Sequence, residues 1–213
     1  MESAPQRRPH QYALDLLRPP APTLDNFVPG ENGAALAALR DSQAGRGPQF
    51  VHLWGPQGSG RSHLLAALRG TPGVLVDDDV HGYDDAAQAA LFIRQNEVRE
   101  HPGRILVTAA DAPPAQLRHL REDVRTRLAW GLVFGLRPLT DSDRETALRA
   151  HARSLGVRLD DELVPYMLTR LPRDMRTLIS VLDALDAYAL ARKRALTIPL
   201  LRDWLAAKPD LAS

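Results

Sequence analysis

The sequence predicts an α/β protein, a P-loop domain on a parallel sheet followed by a small all-helical domain. Three observations carry this prediction. Residues 53–62, Leu-Trp-Gly-Pro-Gln-Gly-Ser-Gly-Arg-Ser, give the pattern G-x-x-x-x-G-[basic]-[Ser/Thr] between a strand-like and a helix-like run. From there to Leu136, short apolar runs alternate with helical ones, which is the rhythm of a helix-covered parallel sheet. From Thr140 onward the pattern is helical throughout.

Composition bounds the function. The chain has 213 residues, 44% hydrophobic and 25% charged, enough for one mid-sized domain with a helical appendage. A net charge of +1 argues against a strongly basic, DNA-coating surface, although it leaves room for a local patch. Without cysteine there are no disulfides or thiolate metal sites, which suits a reducing compartment. Met1 to Pro9 lack the apolar core of a secretory signal, and no apolar run is long enough for a membrane span, so a cytoplasmic location is expected. The seven histidines show no metal-ligand spacing.

Residues 1–22 read as a Pro- and Arg-rich disordered tail. Within it, residues 11–17 form a short apolar segment cut off by Pro19, Pro20 and Pro22. That segment either packs back on the domain or inserts Leu14 and Leu16 into a partner's pockets. A turn-rich stretch at 23–30 leads to a helix from Asn32 to Gly45 or Gly47, with Ala35, Leu36 and Leu39 on one face. Gln49 to Trp54 reads as a buried strand, and a helix from Arg61 to Arg69 is stopped by Gly70, Pro72 and Gly73.

Val74 to Val76 is a strand running into Asp77, Asp78 and Asp79, so acids sit at its carboxyl end. Asp84 caps a helix to Arg99, with Ala86, Ala89, Ala90, Ile93 and Val98 expected inside. A strand at 104–109 follows, then a helix from the Asp111–Pro114 turn to Arg121, a helix from Arg121 to Trp130, and a strand at 131–136. Thr140 caps a helix to Leu155, which Gly156 ends. The next helix runs from Asp161 or Glu162 to Leu171, with Pro165 in its first turn. Another spans Arg173 to Lys193, with Met175, Leu178, Leu182, Leu185 and Leu190 at helical spacing, and a last one ends near Ala207. The domains are therefore expected at 23–138 and 139–208.

A polyphosphate needs donors around its oxygens, a cation, and a metal if it is to be cleaved. Gly55, Gly58 and Gly60 let backbone N–H groups turn toward phosphates, and the helix opened by Arg61 adds its positive end. Ser62 would ligate Mg2+, helped by an aspartate of the 77–79 run. Arg61 stands where lysine is usual, and a planar guanidinium is not equivalent to a compact ammonium, so binding is expected and hydrolysis is left open. Arg127 and Arg176 read by default as solvated charges, but Arg127, beside Trp130, could reach across a subunit boundary to another protein's triphosphate.

Several segments, in order over residues 11–207, resemble the DnaA/Hda family of AAA+ ATPases: TLDNFVPG at 23–30, GPQGSGRSHLL from Gly55, DDDV from Asp77, DAPP from Asp111, RTRLAWG from Arg125 and RDMRTL from Arg173. The resemblance makes Arg61 and Ser62 the Walker A residues, Asp78 the Mg2+ acid and Asp79 the base, with a slip to Asp77 and Asp78 left open. It puts Asp111 at sensor 1, Arg127 at the arginine finger and Arg176 at sensor 2, with Phe27 and Val28 touching the adenine of ADP or ATP. Gln11, Leu14 and Leu16 match the Q-x-x-L-x-L form of a sliding-clamp-binding peptide.

The family has a strand between the P-loop helix and the acidic strand for which there is no room here, so four parallel strands are expected. With no space for a DNA-reading domain after the helices, the resemblance implies a regulator. Such a protein would bind the DNA polymerase III sliding clamp on DNA and stimulate hydrolysis of DnaA-bound ATP, with weak or no ATPase of its own. The alternative is an autonomous ATPase that loads a helicase or another replication protein. Its partners would be DnaA, the clamp and, through the clamp, DNA, but no membrane; homodimerisation is left open.

Overall fold

The structure, a computed structural model, describes residues 21–206, so Gln11, Leu14 and Leu16 lie outside the described residues. Two compact units meet in sequence between Leu139 and Thr140. In the first, α1 (Gly33–Gln43), β1 (Phe50–Trp54), α2 (Arg61–Leu68), β2 (Val74–Asp77), α3 (Asp85–Glu100), β3 (Ile105–Ala110), α4 (Glu122–Arg127) and β4 (Leu132–Gly135) follow one another. The strands form one parallel sheet in the order β2-β3-β1-β4. Only residues 69–73 separate α2 from β2, too few for a further strand with its crossover, so β2 is an edge of the sheet. Among the described residues the expected four parallel strands are found.

Both faces of the sheet are covered. Leu39 of α1 and Leu64, Leu65 and Leu68 of α2 pack with Val51, Leu53 and Val107 on one face. On the other, Leu91 and Val98 of α3, Val124 of α4 and Leu128 just beyond it pack with Leu106 and Ala110. Strand alternation places Val74 and Val76 with the α2 cluster and Leu75 with the α3 cluster.

Three expectations are corrected. The buried face of α3 carries Gln88, Leu91, Gln95 and Val98, whereas Ala86 is exposed and Ile93 is 64% exposed. Gln88 can turn inward because its Nε2 donates to the Tyr83 carbonyl (3.0 Å) and its Oε1 accepts from the Arg121 amide (2.8 Å). That second bond also bears on the second correction. The stretch after Pro113 makes only a 3-10 turn at Pro114–Gln116, and α4 begins at Glu122, because Leu117 and Leu120 anchor an irregular loop in the core. The third correction is in α7, described next.

In the second unit, α5 (Asp141–Ser154), α6 (Leu163–Arg170), α7 (Met175–Arg192) and α8 (Ile198–Ala206) surround Leu148, Met167, Leu178, Leu182, Leu185 and Trp204. A capping box opens α5: the Asp143 amide donates to Thr140 Oγ1 (3.1 Å) and the Thr140 amide donates to Asp143 Oδ2 (2.8 Å). Asp174 caps α7 by accepting from the Thr177 amide at 2.9 Å, and Pro165 falls in the first turn of α6. Along α7 the inward row is Leu178, Leu182, Leu185 and Ala189, whereas Leu190, one residue further round, is 71% exposed. Among the described residues, no helix is long and apolar enough to cross a membrane.

Candidate functional site

The loop from β1 to α2 lies at the carboxyl ends of the strands. Its Gly55 amide donates to the Ala110 carbonyl at 3.2 Å, which ties the loop to the end of β3. Gly58 (φ +79°) and Gly60 (φ +97°) both adopt left-handed backbone that favours glycine. At Gly60 a side chain would also collide with the Phe27 ring, 2.7 Å from where its Cβ would sit. Phe27 is buried there, tilted against His63 with ring centroids 5.4 Å apart, and Val28 beside it is half-buried. The turn before them is held by reciprocal bonds: the Thr23 amide donates to Asn26 Oδ1 (2.8 Å) and the Asn26 amide donates to Thr23 Oγ1 (3.1 Å).

Arg61 and Ser62 begin α2, where the first-turn amides have no intrahelical acceptors. Ser62 is exposed. The Arg61 side chain is only 12% exposed, and its buried Nη1 makes no hydrogen bond. Its charge faces Asp79 Oδ1 at 3.8 Å. Asp79 lies 3.9 Å from His81 Nδ1, and His81 Nε2 lies 3.8 Å from Asp111 Oδ2. The segments that follow β1, β2 and β3 are thus linked by an alternating row of basic and acidic side chains: Arg61, Asp79, His81 and Asp111. His81 was not read as a site residue; its nearness in sequence to the acids is the signal that could have found it.

The three acids are placed differently. Asp77 ends β2 on the α3 face, nearly buried, and accepts from Arg94 Nε (2.8 Å), an Arg94 Nη (2.6 Å) and the Tyr83 hydroxyl (2.7 Å). Burial, then the hydrogen bond to Asp77, raises the pKa of the Tyr83 hydroxyl above its ordinary value. Asp78 is half-buried just beyond the strand, and continued alternation gives it the parity of Val76, on the α2 side. Asp79 is exposed, with φ +49°. Among the described residues, no group of three or more histidines and acids is arranged to hold a metal by itself.

Arg127 ends α4. Its Nη1 donates to Asn96 Oδ1 (2.6 Å), and its guanidinium carbon lies 3.7 Å from the centroid of the Phe92 ring and 4.8 Å from that of Trp130. Desolvation by burial, then Arg99, lowers its pKa, while Asp123 opposes the shift. Arg176 is exposed in the first turn of α7, in the helical unit.

Deeper in the sheet, the register aligns Asp77, Thr108 and His52 in one row across β2, β3 and β1. His52 Nδ1 and Thr108 Oγ1 are 2.7 Å apart. Burial pushes the His52 imidazole down to about 4, against a smaller upward pull from the Ala112 backbone.

Residues 141–205 match the family model described as Hda, lid domain. The chain is similar to domain III of the replication initiation protein DnaA from Thermotoga maritima, at 20% identity over 91% of this chain and 99% of that one, with a TM-score of 0.63. It is also similar to AMPPCP-bound DnaA from Aquifex aeolicus, at 20% identity over 81% of this chain and 68% of that one (TM-score 0.60). A third likeness is to the RuvB Holliday junction branch migration motor of Thermotoga maritima, at 17% identity over 90% and 73% (TM-score 0.59). At these identities the solved structures establish a shared fold.

Proposed function

As an AAA+ protein related to DnaA and Hda, this chain is, we propose, a regulator of DnaA that stimulates hydrolysis of DnaA-bound ATP. The observation that carries this reading is the Hda lid domain at 141–205 on a core with the fold of DnaA domain III. In this reading the protein docks on the DNA-loaded DNA polymerase III sliding clamp through Gln11, Leu14 and Leu16. It presents Arg127 to the DnaA nucleotide, where a guanidinium stabilises charge on the transferring phosphoryl group. Re-initiation of chromosome replication is thereby prevented, and the setting is cytoplasmic.

The chain binds ADP or ATP at its own P-loop. What supports this is the nearly buried Arg61 with an unbonded nitrogen, beside positive-φ glycines and a helix start, an arrangement that fits a polyanion. Ser62 and Asp78 would hold Mg2+, which would neutralise charge on the phosphates. Phe27 and Val28 flank the base, Asp111 and Arg176 are the sensors, and Asp79 is the candidate base.

The test is the rate of hydrolysis of DnaA-bound ATP on clamp-loaded DNA, with wild type and with Arg127→Ala. An arginine finger is worth about a thousandfold or more, so stimulation should be lost. Stimulation by Arg127→Ala equal to wild type would overturn the reading.

A further inference from the structure

Resting on the reading of Arg127 as the finger, we propose that Asn96 and Phe92 of α3 are positioning residues that fix the Arg127 guanidinium for a partner's nucleotide. A guanidinium is useful in a transition state only if its plane and donors are aimed before the reaction, because alignment during the reaction costs entropy and reorganisation. Arg127 sits on a long, flexible stem at the last residue of α4. Its neighbours set its orientation.

Two contacts from one helix face do this. Residues 92 and 96 are one helical turn apart, so their side chains project together from α3. Asn96 Oδ1 accepts from Nη1 at 2.6 Å, and the Phe92 ring lies under the guanidinium at 3.7 Å, which fixes the plane. Only one of the five guanidinium N–H groups is used by Asn96, which leaves the rest of the fork for phosphate oxygens.

The surrounding charge makes this hold necessary. Arg121 lies 5.8 Å from the Phe92 ring, and Arg99 lies 5.6 Å from the Trp130 ring that Arg127 also approaches. Arg99 acts against the Arg127 cation, and Asp123 on α4 offsets it. Without the Asn96 acceptor, the repulsion would favour guanidinium orientations directed into solvent. The same helix is tied to the acid-bearing strand by the Arg94 bonds to Asp77, so Arg127 is held in register with the end of β2.

The experiment measures hydrolysis of DnaA-bound ATP on clamp-loaded DNA against the concentration of this protein, with Arg127→Ala run in parallel. Asn96→Ala should lower the maximal rate by about tenfold to a hundredfold with little change in the half-saturating concentration. Asn96→Asp, which keeps an acceptor at the same place, should restore the rate. Phe92→Leu, which keeps bulk and removes the ring, should lower it in the same way, and it carries the test if Asn96→Ala does not fold. If Arg127→Ala abolishes stimulation while Asn96→Ala and Phe92→Leu match or exceed wild type, the positioning role is overturned and the finger stands. If Arg127→Ala itself matches wild type, the finger reading fails.

Discussion

At the scale of single residues, the polar row Asp77, Thr108 and His52 sets how the sheet responds to pH and to truncation. His52 is 1% exposed and held neutral, with its pKa lowered to about 4 from 6.5. The unfolded chain takes up a proton near pH 6.5 and the folded chain only near 4. Stability conferred by this residue is therefore complete above pH 6.5 and is lost as pH falls toward 4. The loss amounts to about 3 kcal/mol at most, at about 1.4 kcal/mol per pK unit. Urea denaturation at a series of pH values should show this slope, and His52→Gln should flatten it. Asp77→Ala, which strands Arg94 and the Tyr83 hydroxyl, should cost about 2 kcal/mol in the same measurement. The figure is below that for a fully buried pair because the Arg94 side chain is 34% exposed. Gly58 and Gly60 in a loop, with Arg61 and Ser62 opening the next helix, were legible from spacing alone. Asn96 and Arg94 were not, since their partners lie on other elements and helical periodicity carries no record of them.

At the scale of elements, helix starts were legible because caps are local. Thr140 with Asp143, and Asp84 with Ala87, are closed over three residues. The Thr140 hydroxyl, then its amide, holds the Asp143 carboxyl below its usual pKa. Thr140→Ala should cost about 1 kcal/mol, read as a lowered melting temperature of the helical unit, and an unchanged melt would deny the cap its role. Helix faces were less legible. Apolar periodicity points Ile93 inward, yet α3 buries Gln88 and Gln95, and Gln88 finds partners that only the assembled loops supply. The same limit explains Leu190, where a shift of one residue separates the buried Ala189 from solvent.

At the scale of the molecule, each unit has its own buried cluster, so each is expected to fold by its own cooperativity. Residues 139–206 expressed alone should give a cooperative thermal transition by circular dichroism, with a red shift of Trp204 fluorescence as that buried ring reaches water. A broad, non-cooperative melt would show that the helical unit depends on the rest of the chain. The sequence by itself determined the alternation of strands and helices around the sheet, the glycine-rich loop and the count of four strands, because periodicity, caps and the short 69–73 link act within a few residues. The tertiary structure decided that Asp77 is committed to Arg94, that His81 joins Asp79 to Asp111, and that Arg127 rests on Asn96 and Phe92. Those contacts depend on strand register and helix packing, which bring together side chains that the local pattern treats as unrelated.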